Sequence, residues 1–197
     1  MKDKSSESKK SMMHSLQNHL LIAMPSLNDP YFSRSVTYIC EHNEHGAMGI
    51  VINQPVGMSL KQLLSQTDSE APVLAQKADD IILAGGPVSQ DRGFILHTCQ
   101  PGWNSSLQLT SEIMVTTSKD ILPALGDGTG PDKALIALGY AGWTAGQLEE
   151  EIQSNSWLTV EADLALLFDV PIHKKWQTAV QKLGIDSWQL APGVGHA

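Results

Sequence analysis

Residues 35–55 read SVTYICEHNEHGAMGIVINQP, and this stretch restricts the fold more than any other part of the chain. Its two halves, 35–41 and 47–53, are dense in β-branched and aromatic side chains, which suit a pleated, half-buried surface. Residues 42–46, HNEHG, are polar and end on glycine, so the halves are predicted to pair as a hairpin. A two-stranded ribbon is marginal by itself in water, so the chain must supply more strands and a layer to cover them.

Short apolar runs elsewhere meet that need. Residues 20–24, LLIAM, end at Pro25 and have the pattern of a buried strand; further strands are predicted at 81–84, 94–98, 107–110, 113–116, 134–138 and 157–160. Helix signals are short. Ser59 with Gln62 forms a capping box ahead of Leu60, Leu63 and Leu64, and Thr144 with Gln147 repeats the pattern before the acids 149–151. Ser118 is the expected N-cap of KDILPAL, with Pro123 tolerated near the first turn. A last helix is expected over 170–183, capped by Asp169, striped by Trp176, Ala179, Val180 and Leu183, and stopped by Gly184. Residues 65–80 read as a loop. Strands dominate the first half and helices the second, so the fold class is α+β: a curled sheet covered by helices from the carboxyl half.

With 197 residues the chain exceeds one average domain without filling two, and 42% apolar against 17% charged residues excludes wholesale disorder. The domain is expected at 15–190, between a disordered tail at 1–14 and a flexible C-terminus at 191–197. Residues 1–11, MKDKSSESKKS, have no apolar core and do not resemble a signal peptide. No run of 18 apolar residues suggests a membrane span, and two distant cysteines, Cys40 and Cys99, fit a reducing compartment, so a cytoplasmic location is expected. The charge of −8 conceals an asymmetry: from position 11 onward, 9 basic residues face 19 acidic ones. A body so acidic repels a phosphate backbone, and direct binding of nucleic acid is not expected.

Chemistry-bearing residues are sparse. Cys40, His42 and His45, with His97 and Cys99, place Cys and His two residues apart on two predicted strands. Tetrahedral zinc is geometrically permitted there, but structural zinc ligands usually come from Cys pairs on turns, so buried cysteines beside strand-end histidines are the reading preferred. No metal or cofactor is expected. The loop GDGTG at 126–130 follows a helix and precedes a strand, the wrong polarity for a phosphate cradle, and reads as a C-cap and turn. The segment 139–149, GYAGWTAGQLE, has the opposite polarity: Gly139, Gly142, Trp143, Thr144 and Gln147 lie where a strand passes into a helix start, and they form the leading ligand-site candidate. Tight strand-to-helix packing would select the same glycines. Glu41, His42, Arg92 and His97 are the candidates for acid–base or anion-holding chemistry if they cluster. Neither a Gly-x-Ser-x-Gly elbow nor His-Glu-x-x-His occurs. The closing segments EADLALLF and VPIHKKWQTAVQKLG invite comparison with a helix-turn-helix, with Lys174, Lys175 and Lys182 as positive charge, but the Trp176, Val180 and Leu183 stripe needs burial.

Four long stretches add a resemblance: NHLLIAMPSLNDPYFSRSVTYICEHNEHGAMGIVINQP, GGPVSQDRGFILH, LGYAGWTAGQLEEEIQSNSWL and LFDVPIHKKWQTAVQKLGID. Together they span roughly residues 16–186, and the chain is similar there to the AlgH/YqgE family of bacterial proteins. That resemblance implies an α+β fold in which a bifurcated, curled sheet forms a pseudo-barrel with helices packed around it. It offers no catalytic residues to carry over; one branch bears the name of a transcriptional regulator linked to alginate production. Cys99 and the basic tail depart from the usual pattern. The resulting expectation is a non-enzymatic regulatory or small-ligand-binding protein, acting indirectly through a small anionic ligand or a protein partner. The alternative is a hydrolase or transferase using the His, Arg and Glu groups.

Overall fold

β1 (His19–Ala23), β2 (Val36–Asn43) and β3 (Gly46–Val51) form an antiparallel meander, with β10 (Trp157–Glu161) on the outer edge of β1. The computed structural model describes residues 14–67, 72–186 and 190. The 1–14 tail, apart from His14, and the C-terminus at 191–197 lie outside the described residues. The hairpin is present with a shorter turn than expected, because β2 runs on through His42 and Asn43.

The sheet forks at β9 (Ala134–Thr144). One edge of β9 carries β3 against residues 141–144 and, nearer its start, the parallel β5 (Ile81–Ala84) against residues 136–138. Its other edge carries β6 (Val88–Thr98), followed by β8 (Ile113–Thr116) and β7 (Ser106–Gln108). β4 (Pro55–Ser59) pairs only with β5. The result is a bifurcated, curled, largely antiparallel sheet of half-barrel form with short helices packed on it, which is the α+β architecture expected.

Three apolar clusters hold it. Leu20, Ile22, Tyr38, Ile50 and Leu96 fill the inside of the curl, which is closed by Leu166, Leu167, Trp176 and Val180. Those last four come from a π-helical turn, Ala165–Asp169, and α5 (Lys175–Lys182). α1 (Leu60–Ser65) and α3 (Ile121–Asp127) cover Ile82, Ile95 and Ile136, and α4 (Gln147–Gln153) lays Leu148 on Ala141, Trp143 and Trp157. Each fully buried aliphatic side chain contributes roughly 1.5–3 kcal/mol. Covering helices thus come from both halves of the chain, not from the carboxyl half alone.

Local signals fare unevenly. The Ser59–Gln62 capping box forms in both directions, and Gly128 and Gly184 stand at left-handed φ values of 80° and 73° where α3 and α5 end. Ser118 is not a cap: its Oγ accepts the Ser105 N–H, and α3 starts after Asp120, whose carboxylate accepts the Asn104 N–H. Asp169 pairs with Lys133 instead of capping the last helix, which begins with a 3-10 turn. The 65–80 loop contains a one-turn helix, α2 (Ala75–Ala78). The two Cys/His pairs do not converge, because β3 and β9 lie between β2 and β6. Among the described residues, no helix is long and apolar enough to cross a membrane.

Candidate functional site

Gly139 lies opposite the most irregular stretch of β6. Val88 pairs with Tyr140 and Gly93 with Leu138, so β6 spends five steps where β9 spends two. The extra residues bulge over Gly139, at φ 76°, where an added Cβ would sit 2.5 Å from the Gly86 carbonyl and 2.9 Å from that of Val88. Such a bulge re-aims the side chains it carries. Here it carries Arg92 to the rim of a cavity of about 550 Å³. Met48, Phe94, Tyr140, Leu107 and Val115 form its apolar walls, with Asn104 and Thr117 among its polar ones. Phe94 and Tyr140 meet edge to face at 5.5 Å. The Arg92 guanidinium lies 5.5 Å from the Phe94 centroid and reaches Thr117 Oγ1 at 3.4 Å. It makes no ion pair among the described residues. A second cavity, of about 510 Å³, shares Arg92 and Thr117 as a wall.

The other candidates distribute themselves by strand register. Cys40 is the extra residue of a second bulge, so Glu41 faces with Met48 while His42 faces with Ala47 and Trp143 on the opposite side. Glu41 is exposed and accepts from Asn43. His42 is buried; Nδ1 accepts the Leu16 N–H at 2.9 Å, which leaves the ring proton on Nε2 to be donated to Glu149 at 2.7 Å. His97 is wholly buried on β6. Its Nδ1 donates to the Thr98 carbonyl, so Nε2 accepts from Thr116 Oγ1, which is itself bonded to Ser106. Glu41, His42, Arg92 and His97 therefore do not meet at one place.

The strand-to-helix junction largely satisfies itself. Trp143 is buried, and its indole donates to Glu151; Gln147 donates to Glu151 and accepts from Thr144. The Thr144–Gln147 box is half formed, since Gly146 is the N-cap and offers no side chain. Gly142 is exposed and faces the Tyr140 ring edge. Of the residues named from sequence, Arg92 lines the 550 Å³ cavity, and Gly139 lies against the bulge of β6 that carries it.

Burial lowers the affinity of His97 for a proton, against a smaller opposing effect of its bond to Thr98. The unfolded chain accepts that proton near pH 6.5 and the folded one resists it. The stability His97 contributes is therefore present above pH 6.5 and is lost as pH falls below that value. Denaturant titrations from pH 7.5 down to 5 are expected to show wild type losing stability more steeply than His97→Gln; parallel curves would contradict this.

Lys175 was not distinguishable as a special residue in the sequence, where it counts as one of three lysines on the last helix. It is 1% exposed. The available signal was its position: it stands four residues before Ala179, on the apolar face.

A family model described as AlgH-like matches residues 20–188. A UPF0301 protein of Idiomarina loihiensis is 55% identical over 185 residues, covering 94% of this chain and 100% of that one. One from Shewanella sp. strain ANA-3 is 55% identical over 190 residues, with the same coverage. The solution structure of the AlgH protein from Pseudomonas aeruginosa superposes with a TM-score of 0.76 at 47% identity, covering 96% of this chain and 100% of that one. A crystal structure of a Corynebacterium diphtheriae protein shares the fold at a TM-score of 0.63 and 20% identity, over 84% of this chain and 85% of that one.

Proposed function

The chain belongs to the AlgH-like family, and from that premise we propose that it serves as a non-enzymatic binding protein for a small anionic ligand, seated in the cavity under Arg92. The observation that carries this reading is a guanidinium that meets no carboxylate among the described residues, at the rim of an apolar, aromatic-walled cavity of about 550 Å³. Small-molecule sites are commonly this size, mostly apolar, with a few polar groups that fix orientation. Arg92 suits a carboxylate or phosphate, which its planar fork binds with two parallel hydrogen bonds. Phe94, Tyr140 and Met48 suit an apolar or aromatic body on the same ligand. The excess of 19 acidic over 9 basic residues beyond position 10 argues against a polyanion and favours a compact ligand reaching one local cation. Any influence on transcription would then pass through the ligand or a protein partner.

A thermal-shift panel of small carboxylates and phosphates tests this. A ligand at a hundred times its dissociation constant stabilises its target by about 2.7 kcal/mol. The shift is expected to vanish in Arg92→Ala and to persist in Lys61→Ala, which removes an exposed charge elsewhere. Hits that are indifferent to Arg92 would refute the site.

A further inference from the structure

The second cavity, of about 510 Å³, has a floor and a rim of different character. The floor is aliphatic: Ile95 and Ile136 from the paired strands β6 and β9, Leu122 from α3 and Leu63 from α1. Among the described residues no aromatic ring lines it, whereas Phe94 and Tyr140 wall the 550 Å³ cavity. Gly93 leaves space beside Ile95. An added Cβ there would meet only Ile95 Cδ1, at 4.0 Å. Its φ lies outside the left-handed region, so the backbone does not demand glycine at this position.

The rim carries three exposed charges, Asp91, Arg92 and Lys119. Ile95 faces Thr116 in the β6–β8 ladder, and the same count carried three residues on brings Arg92 level with Lys119. Arg92 already reaches across to Thr117 on that chain. Like charges at one level of neighbouring chains repel. None of the three makes an ion pair among the described residues, although both signs are present. A wholly anionic ligand would be opposed by Asp91, and a wholly cationic one by Arg92 and Lys119. A zwitterion with an aliphatic body answers all three charges and the floor beneath them.

We propose that this cavity is a second ligand site, for a free α-amino acid with an aliphatic side chain. Arg92 binds the α-carboxylate through two parallel hydrogen bonds, and Lys119 adds its charge beside them. Asp91 accepts from the α-ammonium. The aliphatic side chain lies over Gly93, against Ile95, Ile136, Leu122 and Leu63. The site goes beyond the anion of the 550 Å³ cavity and does not rest on it: both use Arg92, but Asp91, Gly93 and Lys119 line the second cavity and not the first.

Calorimetric titration of the intact protein tests this with three probes of one carbon skeleton: leucine, 4-methylpentanoate, which lacks the ammonium, and 3-methylbutylamine, which lacks the carboxylate. Leucine is expected to bind about tenfold or more tightly than either, the effect of one charge-assisted hydrogen bond. Asp91→Asn is expected to reduce leucine to the level of 4-methylpentanoate, and Lys119→Ala to weaken both. Gly93→Leu fills the space beside Ile95 and is expected to abolish leucine binding, while anions that bind the 550 Å³ cavity through Arg92 still bind. If Gly93→Leu loses the circular dichroism of wild type, Asp91→Asn and Lys119→Ala, both at exposed positions, decide the matter. No saturable binding of leucine, leucine no tighter than 4-methylpentanoate, or leucine binding unchanged in folded Gly93→Leu would each overturn the proposal.

Discussion

Gly139→Val is expected to destabilise the protein by roughly 2–5 kcal/mol, while Gly142→Val, three residues along the same strand, leaves it close to wild type. At 139 the backbone holds φ 76°, and a Cβ would sit 2.5 Å from the Gly86 carbonyl and 2.9 Å from the Val88 carbonyl. Neither is the mobile end of a side chain, so the β6 bulge itself has to move. The left-handed conformation costs an L-residue roughly 1–2 kcal/mol and forced overpacking roughly 1–3 more. At 142 the added Cβ meets only the Tyr140 ring edge, at 3.4 Å, and a β-branched residue suits an exposed strand position. Urea denaturation of both variants measures the contrast. A destabilised Gly139→Val that still folds is also expected to lose the Arg92-dependent ligand shift, because the bulge that positions Arg92 is displaced. Equal stabilities for the two variants would show that the bulge does not depend on Gly139.

Glu151→Ala is expected to cost roughly 3 kcal/mol. Glu151 Oε2 accepts the indole N–H of Trp143 at 2.9 Å and that of Trp157 at 2.8 Å, and Oε1 accepts from Gln147 at 2.9 Å. The two indoles are buried against each other and against Phe32, with ring centroids 6.0 Å apart in an edge-on contact. Removing the carboxylate strands both N–H groups, at roughly 1–3 kcal/mol for each buried donor left unpaired. Glu151→Gln keeps a single acceptor oxygen and is expected to lose about half as much. Unfolding followed by tryptophan emission reads the change directly at these rings. A loss below about 1 kcal/mol would mean that the indoles find water once the carboxylate is gone.

The sequence by itself determined what depends on near neighbours. The 35–55 hairpin, the strands at 20–24, 81–84, 113–116 and 157–160, the Ser59–Gln62 cap and the stops at Gly128 and Gly184 all follow from side-chain period or from bonds reaching three or four residues. The long motifs also identified the family, and with it the forked, curled sheet. Only the tertiary structure decided which way the chemistry faces. The bulge at Cys40 reverses the alternation of β2, so that Glu41 takes the Met48 side of the sheet and His42 the side of Ala47 and Trp143; the bulge over Gly139 separates it from Gly142 in role and sends Arg92 to a cavity. Lys175 became a buried donor because Pro171 withholds an N–H from a carbonyl nine residues before the lysine. A one-residue shift in register exchanges the two faces of a strand, and that register is fixed by pairing with distant residues, as His19 with Glu161 and Gly46 with Thr144, and by close backbone approaches that no local pattern encodes.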